Sequence, residues 1–346
     1  MSPHVETEPR LVEDKPQFKR LDTFTADAWK FKLHPIESPV MMIYGLGGFY
    51  GGYVCLTCAK LPTIIFTFSL VYPCMLALTA GVHRLWSHRA YKARAPLQLL
   101  LTFLYILTNQ RSIITWVRRH RLHHLCSDTD ADPHNATRGF FFSQFGWMLV
   151  EPHPEVAKRE KHIDVSDLMN NPIVKFQHEY FAYLVTIIAY VIPTYIPIAL
   201  FGESLYAAYW SNIFRMNMVM HLVNTINSIA HLVGYRPIDK MIPGTQYPFI
   251  GLVTLGEGFH NYHHSFPYDY RASEIGDYRL NLTAPFIDFM AKIGQAYDLK
   301  TVSEDIVRGR VLKNGDGTDL YYIPNNEVKQ DFFCTKYYNR MGKCNQ

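Results

Sequence analysis

Long uncharged apolar runs alternate with polar stretches along this chain. Residues 39–59 carry no charge over 21 positions and, after Lys60, residues 61–82 carry none over 22. Each run exceeds the roughly 20 residues that a helix needs to cross a bilayer. With little but Lys60 between them, they read as a tight helical hairpin. The glycines in Gly45-Leu46-Gly47-Gly48 and Gly51-Gly52 permit close helix approach. A polar stretch from His83 to about Glu179 follows. It is interrupted by residues 97–107, apolar but short, which read as a buried or interfacial helix. Residues 180–201 form a third run, with Pro193 and Pro197 as kink points. Residues 205–230 form a fourth, less uniform because it contains Arg215 and His221. Only Gly202-Glu203-Ser204 separates these two, so they make a second hairpin.

Charge placement orients the hairpins. The short links hold one basic residue, Lys60, whereas the N-terminal segment holds Arg10, Lys15, Lys19, Arg20, Lys30 and Lys32. The central stretch adds Arg84, Arg89, Lys92, Arg94, Arg118, Arg119 and Arg121. The positive-inside rule therefore puts both termini and the central stretch in the cytosol. The expectation is an all-α integral membrane protein, with four transmembrane helices in two hairpins and a cytosolic helical cap.

Composition agrees with partial immersion in lipid: aromatic residues reach 14% and charged residues only 18%. The net charge of +4 is too small to argue for nucleic acid. Six scattered cysteines form no disulfide framework, and Cys55-x-x-Cys58 lies inside an apolar run, where packing is the better reading. The first 30 residues lack the apolar core of a cleavable signal peptide, leaving targeting to the first span.

Histidine changes the picture most. Of sixteen, eight fall into three clusters: His83-Arg-Leu-Trp-Ser-His88, His120-Arg-Leu-His123-His124 and His260-Asn-Tyr-His263-His264. In the last two, spacings of three and four put all three imidazoles on one helical face. His83 and His88 are five apart and need a helix end or bend to converge. Imidazole ligates iron, copper, nickel and zinc, and this many suit two ions better than one. Surface histidines attracted to anionic lipid are the bland alternative, which three such clusters on one membrane side leave little room for. The cap is thus expected to hold a histidine-rich di-metal site.

These boxes and the two-hairpin pattern resemble the animal (insect-type) membrane acyl-CoA desaturases of the stearoyl-CoA desaturase-like family. The resemblance rests also on His83-Arg-Leu-Trp-Ser-His88-Arg, Ala131-Asp-Pro-His134-Asn, Gly139-Phe-Phe-Phe142 and Gly256-Glu-Gly-Phe-His-Asn-Tyr-His-His264. It runs from about residue 30 to Gly317. It implies a polar segment 1–35, a desaturase domain 36–317, and a tail 318–346 of unassigned role. It implies two iron ions, held by His83, His88, His120, His123, His124, His260, His263, His264 and a ninth ligand, His231. Asn227, one turn before His231, matches a residue that holds a metal-bound water. His134, His153, His162, His178 and His221 match no ligand position. The implied reaction is oxygen-dependent insertion of a cis double bond into a fatty acyl-CoA in the endoplasmic reticulum membrane. Electrons come from cytochrome b5, itself reduced by NADH-cytochrome b5 reductase. The position of the double bond, Δ9 or another such as Δ11, is left open. A histidine-box hydroxylase shares the metal site, but the flanking motifs argue against it; the intact histidine set disfavours an inactive lipid-binding homologue, and the excess of histidines disfavours a zinc hydrolase.

The resemblance also assigns substrate contacts. Gln110 and Trp116 match residues at the bend of an acyl tunnel. Val223 and Asn224 depart from the usual Thr and Trp beside it, and Met75 and Val71 stand at the tunnel's blind end. For the polyanionic coenzyme A, Glu37 replaces a usual Asn and Glu151-Pro152 a usual Arg-Lys. Arg111, Arg118 and Arg119 are then expected to form the cationic cradle.

Overall fold

The computed structural model describes residues 30–273 and 280–319. Residues 1–29 and 320–346, and with them most of the N-terminal segment and of the tail, lie outside the described residues. Among the described residues the architecture is helical, with a two-stranded antiparallel pairing of β1 (Lys92–Ala93) and β2 (Ala296–Tyr297).

The first apolar runs form α1 (Glu37–Thr57) and α2 (Leu61–Ser87). Pro62 in the first turn of α2 has no N–H to leave unsatisfied there. α2 outruns the expected span because its last segment, Ala77–Ser87, continues as a fully buried π-helix. The short apolar segment is α3 (Ala95–Ile106), which exposes Leu99, Leu100 and Phe103 along one side. Next come α4 (Ile113–Cys126), α5 (Phe181–Phe201) and α6 (Leu205–Leu232). In α5 a π-helical stretch, Thr186–Val191, directly precedes the Ile192-Pro193 step. α7 (His260–Ser265) carries the last histidine box.

Three of these helices, α1, α2 and α5, are long and apolar enough to cross a membrane. They leave large apolar side chains such as Ile43, Phe49, Ile65, Tyr183 and Leu200 exposed, the surface that lipid covers. α6 is longer, at 28 residues, but less apolar. It buries Asn212, Arg215, Asn217 and Asn224 among its neighbours and so reads as the centre of the bundle.

Packing explains the glycines of α1. A Cβ on Gly48 would stand 2.3 Å from the Asn217 side chain, and one on Gly51 would stand 2.4 Å from the Trp210 carbonyl oxygen. The small face thus admits α6, not the hairpin partner α2. Cys55 is buried on α1 and Cys58 is exposed just beyond its end. The two hairpin links also hold one another. The Lys60 amide and the Thr63 hydroxyl donate to Glu203 Oε2 at 2.7 and 2.9 Å, while Lys60 Nζ donates to the Phe201 and Gly202 carbonyls. Glu203 thereby satisfies the open Lys60 amide at the start of α2.

Candidate metal centre

Each histidine is delivered by a local device. The π-helical end of α2 brings residues five apart onto one face: the His88 amide donates to the His83 carbonyl at 3.1 Å, and the two rings lie 4.9 Å apart. α4 is started by Ser112, whose hydroxyl accepts from the Thr115 amide. Its one face then presents His120, His123 and His124. α7 repeats that spacing with His260, His263 and His264. His231 ends α6.

The fold sorts all nine into two groups. His83, His88, His120, His124 and His263 form one, and His123, His231, His260 and His264 the other. Within each group the ligating atoms lie within 4.8 Å of one another. Nε2 atoms approach to 2.9 Å for His83 and His263, and to 3.0 Å for His124 and His263, for His231 and His260, and for His260 and His264. Cis ligands on a first-row ion stand about 3 Å apart when each metal–nitrogen bond is about 2.1 Å.

Carboxylates behind the rings fix what the inner nitrogens are. His83 Nδ1 lies 3.0 Å from Glu257, His123 Nδ1 2.9 Å from Asp132, and His231 Nδ1 2.9 Å from Asp128. An Nδ1–H donated outward leaves an Nε2 lone pair facing inward. His263 Nε2 and His260 Nε2 each crowd two other Nε2 atoms and have at most one proton to share, so lone pairs still face each other unless a cation lies between them, and the donor set fits metal ions. Burial, then the neighbouring imidazoles, hold His88, His120, His124, His260, His263 and His264 well below the ordinary histidine value of 6.5. They are neutral, as ligation requires. Burial also works against protonation of His123, but the Asp132 carboxylate outweighs it and raises that ring. Burial opposes ionisation of Glu257 too, yet His83 and Arg84 push it down to about 2.

Asp128, Asp132 and Glu257, set behind the rings, are the part of the site that spacing alone does not reveal. Their signal is proximity: two acids shortly after the second box and one just before the third. His134, matching no ligand position, sits at the edge of the site with its ring 5.5 Å from that of His123. Asn227 donates its amide to Asn224 Oδ1 at 3.2 Å, one turn before His231.

Of the residues expected to line an acyl tunnel, Val71, Met75 and Val223 are buried in one apolar cluster, against which Trp116 packs. Met75 is only 1% exposed, so it does not face lipid. Trp116 also stacks on His120 with ring centroids 4.9 Å apart, joining the apolar cluster to the histidines. The Gln110 amide nitrogen is buried without a partner. The three arginines are treated differently from one another. Arg111 pairs with Glu37 at 3.0 Å. Arg119 is held beside Glu160 and over the Trp147 ring. Arg118 is half-buried, with no ion pair among the described residues. Lys32 pairs with Glu151 at 2.9 Å. A cleft of about 380 Å³, lined in part by Arg121, His162 and Tyr268, opens one edge of the histidine cluster at His88.

Sequence comparison gives the same direction. Residues 60–286 match the family model for fatty acid desaturase. The chain is 46% identical over 312 residues to an acyl-CoA Delta(11) desaturase of Spodoptera littoralis, covering 89% of this chain and 91% of that protein. It is 46% identical over 286 residues to an acyl-CoA Delta-9 desaturase of Acheta domesticus, covering 81% and 78% respectively. It is 43% identical over 279 residues to stearoyl-CoA desaturase 4 of Mus musculus, covering 80% and 78%. With the family model matched across most of its length and relatives this similar, the chain belongs to the fatty acid desaturase family, a family of oxidoreductases.

Proposed function

We propose that the protein is a membrane-bound, di-iron acyl-CoA desaturase. The observation that carries this reading is the sorting of nine imidazoles into a group of five and a group of four, with carboxylates behind three of them. His83, His88, His120, His124 and His263 hold one iron. His123, His231, His260 and His264 hold the other, with Asn227 placed to orient a water beside it. Bound iron supplies the power to oxidise an unactivated methylene pair with dioxygen, two electrons and two protons, giving one alkene and two waters.

The remaining work belongs to the protein. Glu257, Asp132 and Asp128 keep the Nε2 lone pairs turned inward. Trp116, stacked on His120, and the apolar cluster around Val71, Met75 and Val223 hold the acyl chain and exclude water from the reacting carbons. Gln110 lines the same path. Arg111, Arg118 and Arg119 face the anionic coenzyme A, with Arg118 the uncommitted charge of the three. Cytochrome b5, reduced by NADH-cytochrome b5 reductase, is the electron donor, and the cleft at His88 opens one edge of the cluster to it. Residues 36–317 form the catalytic domain in the endoplasmic reticulum membrane. α6 is the fourth span and both termini are cytosolic.

Expression in a desaturase-deficient yeast, with mass spectrometry of the cellular acyl chains, tests the reading. A new cis alkene is expected. A hydroxylated chain assigns the reaction to a histidine-box hydroxylase, and no oxidised chain rejects both.

A further inference from the structure

Arg215 stands in the middle of α6, and its side chain is 1% exposed. Among the described residues its partners are all neutral. Its Nε and Nη2 donate to Asn212 Oδ1 at 3.0 and 2.9 Å, and its Nη1 donates to the Leu107 carbonyl at 2.9 Å and to Cys74 Sγ at 3.3 Å. A buried cation without an anion is costly, and inside a membrane bundle such a group marks a functional place. One end of its fork, Nη1, reaches two different pieces of the substrate path, while Asn212 holds the other side. Cys74 sits on α2 beside Met75 and one turn after Val71. Leu107 directly follows α3 and starts the loop 107–111 that carries Gln110 and Arg111.

That loop is held in an unfavourable shape. Asn109 and Arg111 both have left-handed backbones, at φ 56° and 65°. Such a conformation persists only where its surroundings enforce it. Here three further bonds do so: Asn109 Nδ2 to Tyr190 Oη at 2.8 Å, Tyr105 Oη to the Gln110 carbonyl at 2.7 Å, and Thr108 Oγ1 to the Tyr105 carbonyl at 2.7 Å. The Gln110 side-chain amide nitrogen is then presented buried and unpartnered.

We propose that Arg215 is a positioning residue for the acyl chain, tying the Cys74–Met75 wall to the loop that carries Gln110 and so fixing which carbons are oxidised. This rests on the acyl-CoA desaturase reading. Guanidinium geometry is essential to the role, because one planar fork must reach Asn212, Leu107 and Cys74 together. A lysine keeps the charge and loses the fork.

The test compares Arg215→Lys and Asn109→Gly with the parent enzyme, full-length and iron-loaded, on a single saturated acyl-CoA with the position of oxidation read by mass spectrometry. Glycine suits the φ of Asn109 and removes its side-chain ties to Tyr190 and Tyr44. In both variants the share of product oxidised at a neighbouring carbon should rise, by about tenfold in Arg215→Lys, since small misplacements of a reacting carbon redistribute rate strongly. Iron per chain should stay at the parent value. An isomer ratio within about twofold of the parent in iron-loaded enzyme overturns the proposal. Asn109→Gly decides where Arg215→Lys does not accumulate. Failure of the desaturase reading shows in the parent, as a chain oxidised in another way or not at all. Failure of this proposal shows only in the variants.

Discussion

Eight clustered histidines with a ninth placed by resemblance, and three arginines placed the same way, put nitrogen-bearing side chains near helix ends, and the fold treats the two sets oppositely. The histidine nitrogens converge to within 4.8 Å in two groups, with carboxylates locking three of the rings from behind. The arginine nitrogens are divided among separate acids: Arg111 to Glu37, Arg119 towards Glu160, Arg118 to none among the described residues. Convergence at a metal site is built into short spacings on single helices. A cradle for an anionic head group depends on which distant acids fold against it, and here Glu37 and Glu151 take up Arg111 and Lys32.

The largest effect expected on the histidine side comes from His263, whose Nε2 lies close to those of both His83 and His124. His263→Ala should abolish product and deplete iron, both measurable on purified protein. A fully active variant would sink the metal assignment. Asp132→Asn and Glu257→Gln leave every ligand in place and should lower activity or iron affinity by about 10–100-fold, the usual consequence of losing a partner behind a ligand. Unchanged activity and iron in both would make these carboxylates bystanders and flatten the contrast with the arginine side.

Acidity separates the two regions as well. Six of the cluster histidines are held below 6.5 by burial and by each other. Unfolded, they bind protons that the folded site refuses, so the unfolded state carries more protons below about pH 6.5. The stability of the metal-free protein is therefore present above that pH and lost as pH falls through it. Melting temperatures of metal-free protein at a series of pH values check the sign. A flat profile between about pH 5 and 7 contradicts it.

The arginine side predicts smaller changes. Arg118→Glu should raise KM for acyl-CoA, by up to about fivefold if the contact has the strength of an exposed ion pair. An unchanged KM removes Arg118 from the cradle. Met75→Ala should shift relative kcat/KM toward longer acyl chains by about fourfold per added methylene, from about 0.8 kcal/mol each. The double bond, counted from the thioester, should stay in place. A chain-length profile like the parent's would show that Met75 is not the end wall.

Much of this was legible in the sequence, and the parts that were not share a cause. Helix-period spacing reveals the second and third histidine boxes, because i, i+3 and i+4 fix a common face whatever surrounds it. It does not reveal how His83 and His88 meet. That took eleven residues of π-helix, whose wider turn aligns positions five apart. His231 entered only by resemblance, since a lone histidine at a helix end has no local signature. Asp128, Asp132 and Glu257 are ordinary acids until tertiary packing sets them behind particular rings. Uncharged length finds α1, α2 and α5, but α6 is set apart because its polar side chains face protein. The glycines of α1 likewise signal a close approach without naming the helix that approaches.

Two irons per chain, divided between a five-histidine and a four-histidine group, is the central claim. Metal content of the purified full-length protein, measured by mass spectrometry against protein concentration from amino-acid analysis, tests it most directly. The account predicts about two irons per chain in the parent, one for each group of imidazoles, falling in His263→Ala. One zinc per chain with no iron, or iron unaffected by His263→Ala, would contradict it.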